Sequence, residues 1–130
     1  GGLNRAEWTL SEPGIDLIIL GLGANDMLRG IQPLETEKNL EEIINIATNK
    51  QIKIVIAGMI APTSHGITYK KQFDAIYPKL SKKYNLPLIP FLLKGVALDP
   101  NLNLQDGIHP NKEGTIIISE TLQKIINKHL

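Results

Sequence analysis

The chain has 130 residues, 42% of them apolar and 21% charged, which suits the core of a single domain. Its 14 basic and 13 acidic residues leave a formal charge of +1, and it has no cysteine. This balance excludes a basic nucleic-acid footprint, disulfides, thiolate nucleophiles and cysteine-ligated zinc, and no apolar run approaches the ~20 residues that cross a bilayer.

The chain opens Gly1-Gly2-Leu3-Asn4-Arg5, with neither an initiator Met nor a signal-peptide pattern. Residues Leu3 to Leu10 read as the end of a helix. The run Asp16-Leu17-Ile18-Ile19-Leu20-Gly21 is nearly continuously apolar, as strands covered on both faces are. Leu40, Ile43, Ile44 and Ala47 fall at i, i+3, i+4, i+7 and predict a helix from about Glu35 to Asn49. A second strand follows at 52–58. Tyr69, Phe73, Ile76, Tyr77 and Leu80 mark another helix, in which Pro78 predicts a kink. Pro87 and Pro90 in the third apolar run, 86–91, remove ladder donors and push it to a sheet edge. Ile117, Ile118, Thr121, Leu122, Ile125 and Ile126 form a C-terminal amphipathic helix.

Alternating helices and strands predict an α/β fold with a parallel sheet and helices on both faces. The most apolar strand, 16–21, belongs in the middle of such a sheet, yet no earlier strand is present to pair with it. The expectation is an unpaired apolar edge, which is an aggregation hazard.

Sites in open α/β sheets lie beyond the carboxyl ends of the strands. The third such segment holds Asp106-Gly107-Ile108-His109-Pro110-Asn111. Gly107 permits a tight turn that brings the Asp106 carboxylate to one imidazole nitrogen of His109, where it fixes the tautomer and stabilises the imidazolium. A bare Asp-x-x-His spacing also fits an Asp that merely caps a turn. The first segment holds Gly21-Leu22-Gly23-Ala24-Asn25-Asp26. Its glycines let backbone approach a ligand, and the Asn25 amide suits an oxyanion, although Asn25 and Asp26 could equally satisfy turn backbone. A dinucleotide reading fails, because Asp26 stands where the third glycine belongs and no helix is expected to start at once. His65 and Ser64 lie in the second segment, where a solvated loop accounts for them better than a pocket border does. His129 is expected to be inert, and no His/Asp/Glu cluster has metal spacing. Among the serines, Ser11, Ser64, Ser81 and Ser119, none occupies a Gly-x-Ser-x-Gly elbow.

Taken together, Gly23-Ala24-Asn25-Asp26-Met27-Leu28-Arg29-Gly30 and Asp106-Gly107-Ile108-His109-Pro110-Asn111 resemble the third and fifth conserved blocks of the SGNH (GDSL-type) hydrolases. Ala75-Ile76-Tyr77-Pro78-Lys79-Leu80 and Leu86-Pro87-Leu88-Ile89-Pro90-Phe91 resemble the bacterial branch of arylesterases and thioesterase I/lysophospholipases. The resemblance implies a three-layer, flavodoxin-like parallel sheet with helices on both faces, here missing its first strands. It implies a serine esterase or thioesterase acting on acyl esters, thioesters or lysophospholipids without metal or organic cofactor. His109 would be the general base, Asp106 its orienting acid and Asn25 an oxyanion donor, with Gly23, Met27, Leu28, Ala61 and Pro62 against the substrate. The family's Gly-Asp-Ser block and its second block do not occur in this sequence. Residues 1–130 are therefore expected to be the C-terminal part of one hydrolase domain, inactive without an N-terminal segment that carries the serine. Export is not readable from these residues, and the resemblance only leans toward a periplasmic or secreted bacterial protein, as many relatives are. Two alternatives stay open: a non-catalytic remnant, and a flavodoxin-like module that binds a small ligand.

Overall fold

The computed structural model describes residues 2–129. The chain divides into two compact units, Gly1–Pro90 and Phe91–Leu130.

The first unit contains α1 (Gly2–Thr9), β1 (Leu17–Leu20), α2 (Ala24–Leu28), α3 (Pro33–Asn49), β2 (Lys53–Ala57), α4 (Ile67–Tyr84) and β3 (Leu88–Ile89). The three strands make a parallel sheet in the order β1-β2-β3. Register is set by Ile18 opposite Ile54 and Leu20 opposite Ile56, then Ala57 opposite Ile89. Four consecutive β2 residues, Ile54 to Ala57, are buried, so both faces of that strand are covered and it takes the centre. The sequence favours 16–21 for that place. Instead β1 lies at the edge, half-buried from Leu17 to Ile19, and among the described residues it pairs only with β2. The unpaired edge is thus present.

β3 is shorter than the apolar run around it. Pro87 and Pro90 bracket its two residues, and carbonyl acceptors still serve the ladder, Pro87's own among them: Ile56 N–H donates to Pro87 O at 2.9 Å and Gly58 N–H to Ile89 O at 2.7 Å. Gly58 is glycine for contact reasons, since a Cβ there would run into the Pro90 carbonyl.

The helices follow the periodicity. α3 opens with Pro33 in its first turn, where no amide donor is needed, and buries Leu40, Ile43, Ile44 and Ala47. α4 buries Phe73, Ile76, Tyr77 and Leu80. These two helices pack on each other and on β2, and α1 packs on α3. Pro78 is exposed, and α4 continues past it to Tyr84 as one helix, ending at Asn85 in the left-handed conformation that asparagine tolerates (φ 53°). A further element differs from expectation. A helix does start directly after Gly23: α2 is only five residues, and its brevity leaves no periodic apolar signal to read.

The second unit is turn-rich up to α5 (Lys112–His129). Its organising residue is Asn103, buried, whose amide donates to Val96 O and Asp99 O, both at 2.8 Å. Asn103 bridges Pro110 in antiparallel fashion, and Leu104 N–H donates to His109 O at 2.8 Å. Asn111 then caps α5, its Oδ1 accepting the Gly114 N–H at 2.9 Å. The expected apolar stripe of α5, including Ile117, Leu122 and Ile125, is half-buried.

Candidate active site

In the second unit, Gly107 (φ 69°) allows the chain to double back between Asp106 and His109. Asp106 uses both carboxylate oxygens. Oδ1 accepts the N–H groups of Ile108 at 2.9 Å and His109 at 3.0 Å, and Oδ2 meets His109 Nδ1 at 2.7 Å. Hydrogen bonds from the His109 backbone N–H, then from its ring, then from the Ile108 N–H hold the Asp106 carboxyl down to about 2, against 3.8 ordinarily. An ionised carboxylate at Nδ1 places the ring proton there and leaves the Nε2 lone pair as the basic site. The His109 side chain is 69% exposed, so Nε2 can reach a reacting group.

In the first unit, the turn after β1 carries Asn25. Gly23 (φ 114°) precedes α2 directly, a conformation open to glycine at little cost. Tyr77 Oη donates to Leu22 O at 2.8 Å, and Thr36 Oγ1 donates to Asp26 Oδ2 at 2.9 Å. Asn25 itself is exposed. Beside it lies a cleft of about 300 Å³ lined by Leu3, Leu22, Gly23, Asn25, Thr36 and Leu40, among others.

The turn after β2 is fixed through one residue. Asp74 Oδ1 accepts the Ala61 N–H at 2.7 Å, Lys70 Nζ donates to Ala61 O at 2.9 Å, and Lys70 and Asp74 pair at 2.6 Å. Ala61 is buried, while Pro62 is exposed. A short 3₁₀ turn, Thr63–His65, follows. It carries Ser64, exposed, and His65, whose ring lies 5.0 Å from that of Tyr69. Tyr69 Oη in turn donates to Ile31 O at 2.7 Å. Met27 packs half-buried against the core and Leu28 is 47% exposed.

The other serines are occupied or remote from such turns. Ser11 Oγ donates to Trp8 O and Ser81 Oγ to Leu86 O, both at 2.6 Å, and Ser119 is exposed on α5. Among the described residues no group of three or more His, Asp or Glu side chains could hold a metal. Sequence reasoning brings out Asp106, His109 and Asn25 but misses Thr36, Tyr69, Lys70, Asp74 and Tyr77, which fasten the loops. Tyrosines on the apolar stripe of α4 are the one available signal, since a buried phenol must find an acceptor.

A parallel α/β sheet with this sequence of turns is the flavodoxin-like fold of the SGNH hydrolases. The chain belongs to the GDSL-like lipase/acylhydrolase family, whose sequence profile matches residues 2–115. It is 35% identical over 123 residues to thioesterase 1/protease 1/lysophospholipase L1 of Escherichia coli K12, covering 95% of this chain and 59% of that protein. An arylesterase of Vibrio mimicus is 34% identical over 129 residues, covering 99% of this chain and 64% of its own length. The crystal structure of TesA superposes with a TM-score of 0.92 at 29% identity, covering 100% of this chain and 72% of that one. The chain thus spans less than two thirds of either curated relative.

Proposed function

We propose that this chain is the part of a serine esterase or thioesterase that carries the acid, the base and one oxyanion donor, with the nucleophilic serine on a segment outside these 130 residues. The observation that carries the reading is the Asp106–His109 contact of 2.7 Å, within a block that resembles the family's base-bearing motif. The substrate class is acyl esters, thioesters or lysophospholipids, in keeping with the names of the relatives.

In the reaction, His109 Nε2 takes the proton of the serine hydroxyl as its oxygen attacks the acyl carbonyl. The imidazolium is paired with ionised Asp106, and the Asn25 amide donates to the oxyanion, an interaction worth about 2.7–4 kcal/mol in such sites. The tetrahedral adduct collapses, the carbon–oxygen or carbon–sulfur bond breaks, and His109 returns its proton to the leaving alcohol or thiol. His109 then deprotonates water, whose attack releases the carboxylic acid and regenerates the serine. Gly23, Met27, Leu28, Ala61 and Pro62 line the acyl side in this reading. An exported, periplasmic or secreted location accompanies it through the family resemblance alone. No helix among the described residues is long and apolar enough to cross a membrane.

The occupied hydroxyls of Ser11 and Ser81 and the one-sided pairing of β1 support an external serine segment. The test is hydrolysis of p-nitrophenyl acetate and octanoate. The 130-residue chain alone is expected to show no serine-hydrolase turnover, and turnover is expected with a polypeptide bearing the Gly-Asp-Ser block. Turnover by the chain alone that Ser64→Ala abolishes would place the nucleophile at Ser64 instead.

A further inference from the structure

No residue of α2 is fully buried, and Met27 alone of its large apolar side chains packs half-buried against the core, so packing of this short helix does little to direct the exposed Asn25. Two side chains outside it do the holding. Tyr77 and Thr36 are each only 1% exposed, and each sends its hydroxyl into this turn: Tyr77 to Leu22 O just before Gly23, Thr36 to Asp26 Oδ2 just after Asn25. The two tethers therefore grip the chain on either side of Asn25. Gly23 completes the arrangement, because a Cβ at that position would collide with the Tyr77 hydroxyl. The phenol and the turn backbone are thus in direct contact, closer than any side-chain-bearing residue would allow.

We propose that Tyr77 and Thr36 are positioning residues that set the direction of the Asn25 amide. The inference rests on the reading of Asn25 as an oxyanion donor. Burial, followed by the nearby Asp26 charge, raises the Tyr77 hydroxyl above its ordinary range, so the phenol keeps its proton and remains a donor wherever an esterase is assayed. A side-chain donor must lie near 2.7–3.1 Å from the developing oxyanion to act. Errors of about 1 Å in placement can cost on the order of 100-fold in rate.

Tyr77→Phe and Thr36→Val each remove one hydroxyl and keep nearly the same volume, whereas Thr36→Ser keeps the hydroxyl. In ¹⁵N NMR of the 130-residue chain, the Asn25 side-chain amide signals are expected to shift and average in Tyr77→Phe and Thr36→Val and to be restored in Thr36→Ser. In the serine-complemented hydrolase, kcat is expected to fall about ten- to a hundred-fold with KM unchanged. Adding Tyr77→Phe to Asn25→Ala should then cost nothing further. Unchanged Asn25 amide signals in both hydroxyl-deletion variants, or losses in the double variant that simply multiply, would overturn the proposal. If Asn25→Ala leaves kcat intact while, in the chain that keeps Asn25, the side-chain amide signals still respond to Tyr77→Phe, the oxyanion reading fails and the tether stands.

Discussion

Asp106 holds His109 by two groups at once, accepting its backbone N–H at 3.0 Å with one oxygen and meeting its ring Nδ1 at 2.7 Å with the other. Turn geometry and imidazole tautomer therefore depend on the same carboxylate, and a substitution can separate them. Asp106→Asn keeps an oxygen for the two backbone donors but turns an amide toward Nδ1, which drives the ring proton to Nε2. The expected outcome is a preserved turn with the wrong tautomer, seen in the ¹⁵N shifts of the His109 ring. In the serine-complemented enzyme, kcat should fall by about 10⁴, as happens when a triad carboxylate becomes an amide.

Acid behaviour follows from the same hydrogen bonds. The Asp106 carboxyl titrates near 3.8 in an unconstrained chain and near 2 in this turn. Its folded value is depressed, so ionised Asp106 favours the folded turn at pH above 3.8, and that contribution disappears as pH falls through about 2. A ¹³C titration of the Asp106 carboxyl should show a midpoint near 2. A midpoint near 3.8 would mean that the turn does not persist in solution.

Asn111 joins the turn to α5. Asn111→Ala removes the acceptor for the Gly114 N–H and the donor to Asn101 O, and should lower stability by about 1 kcal/mol in urea unfolding. Asn111→Ser, which retains a capping oxygen, should recover most of that loss.

The interior of the first unit hangs on Phe73, which is fully buried, stacked 6.2 Å from Tyr69 and edge-on at 5.7 Å to Tyr77. Phe73→Leu should reduce stability without unfolding, while Phe73→Ala should cost about 3–5 kcal/mol, measured by thermal unfolding. An effect of Phe73→Ala below 1 kcal/mol would show that the ring is not packed as described.

The strands, the buried faces of α3 and α4 and the Asp106–His109 turn were legible because each depends on neighbours within a few positions. Periodicity marks Leu40, Ile43, Ile44 and Ala47, and a glycine between Asp106 and His109 marks the turn. The fastening of the other loops was not legible. Tyr77 and Leu22 lie 55 positions apart and Tyr69 and Ile31 lie 38 apart, so nothing local announces either bond. α2 was missed because five residues carry too little pattern, and its position follows from Gly23 meeting Tyr77. β3 shrank to two residues because Pro87 and Pro90 supply no amide hydrogen to extend the ladder.

From a single helix, α4, Tyr77 reaches Leu22, Tyr69 reaches Ile31, and Lys70 and Asp74 reach Ala61. These groups fan over roughly 140° of one side of the helix, and each added residue turns a helix by about 100° and advances it by about 1.5 Å. Inserting or deleting one residue between Lys70 and Asp74 would thus leave at most part of the set aimed at its targets. The length of α4 across residues 69–77 is for that reason fixed to the residue, since even a whole extra turn would carry part of the set about 5.4 Å past its targets, and natural variation in length in this protein should fall outside it.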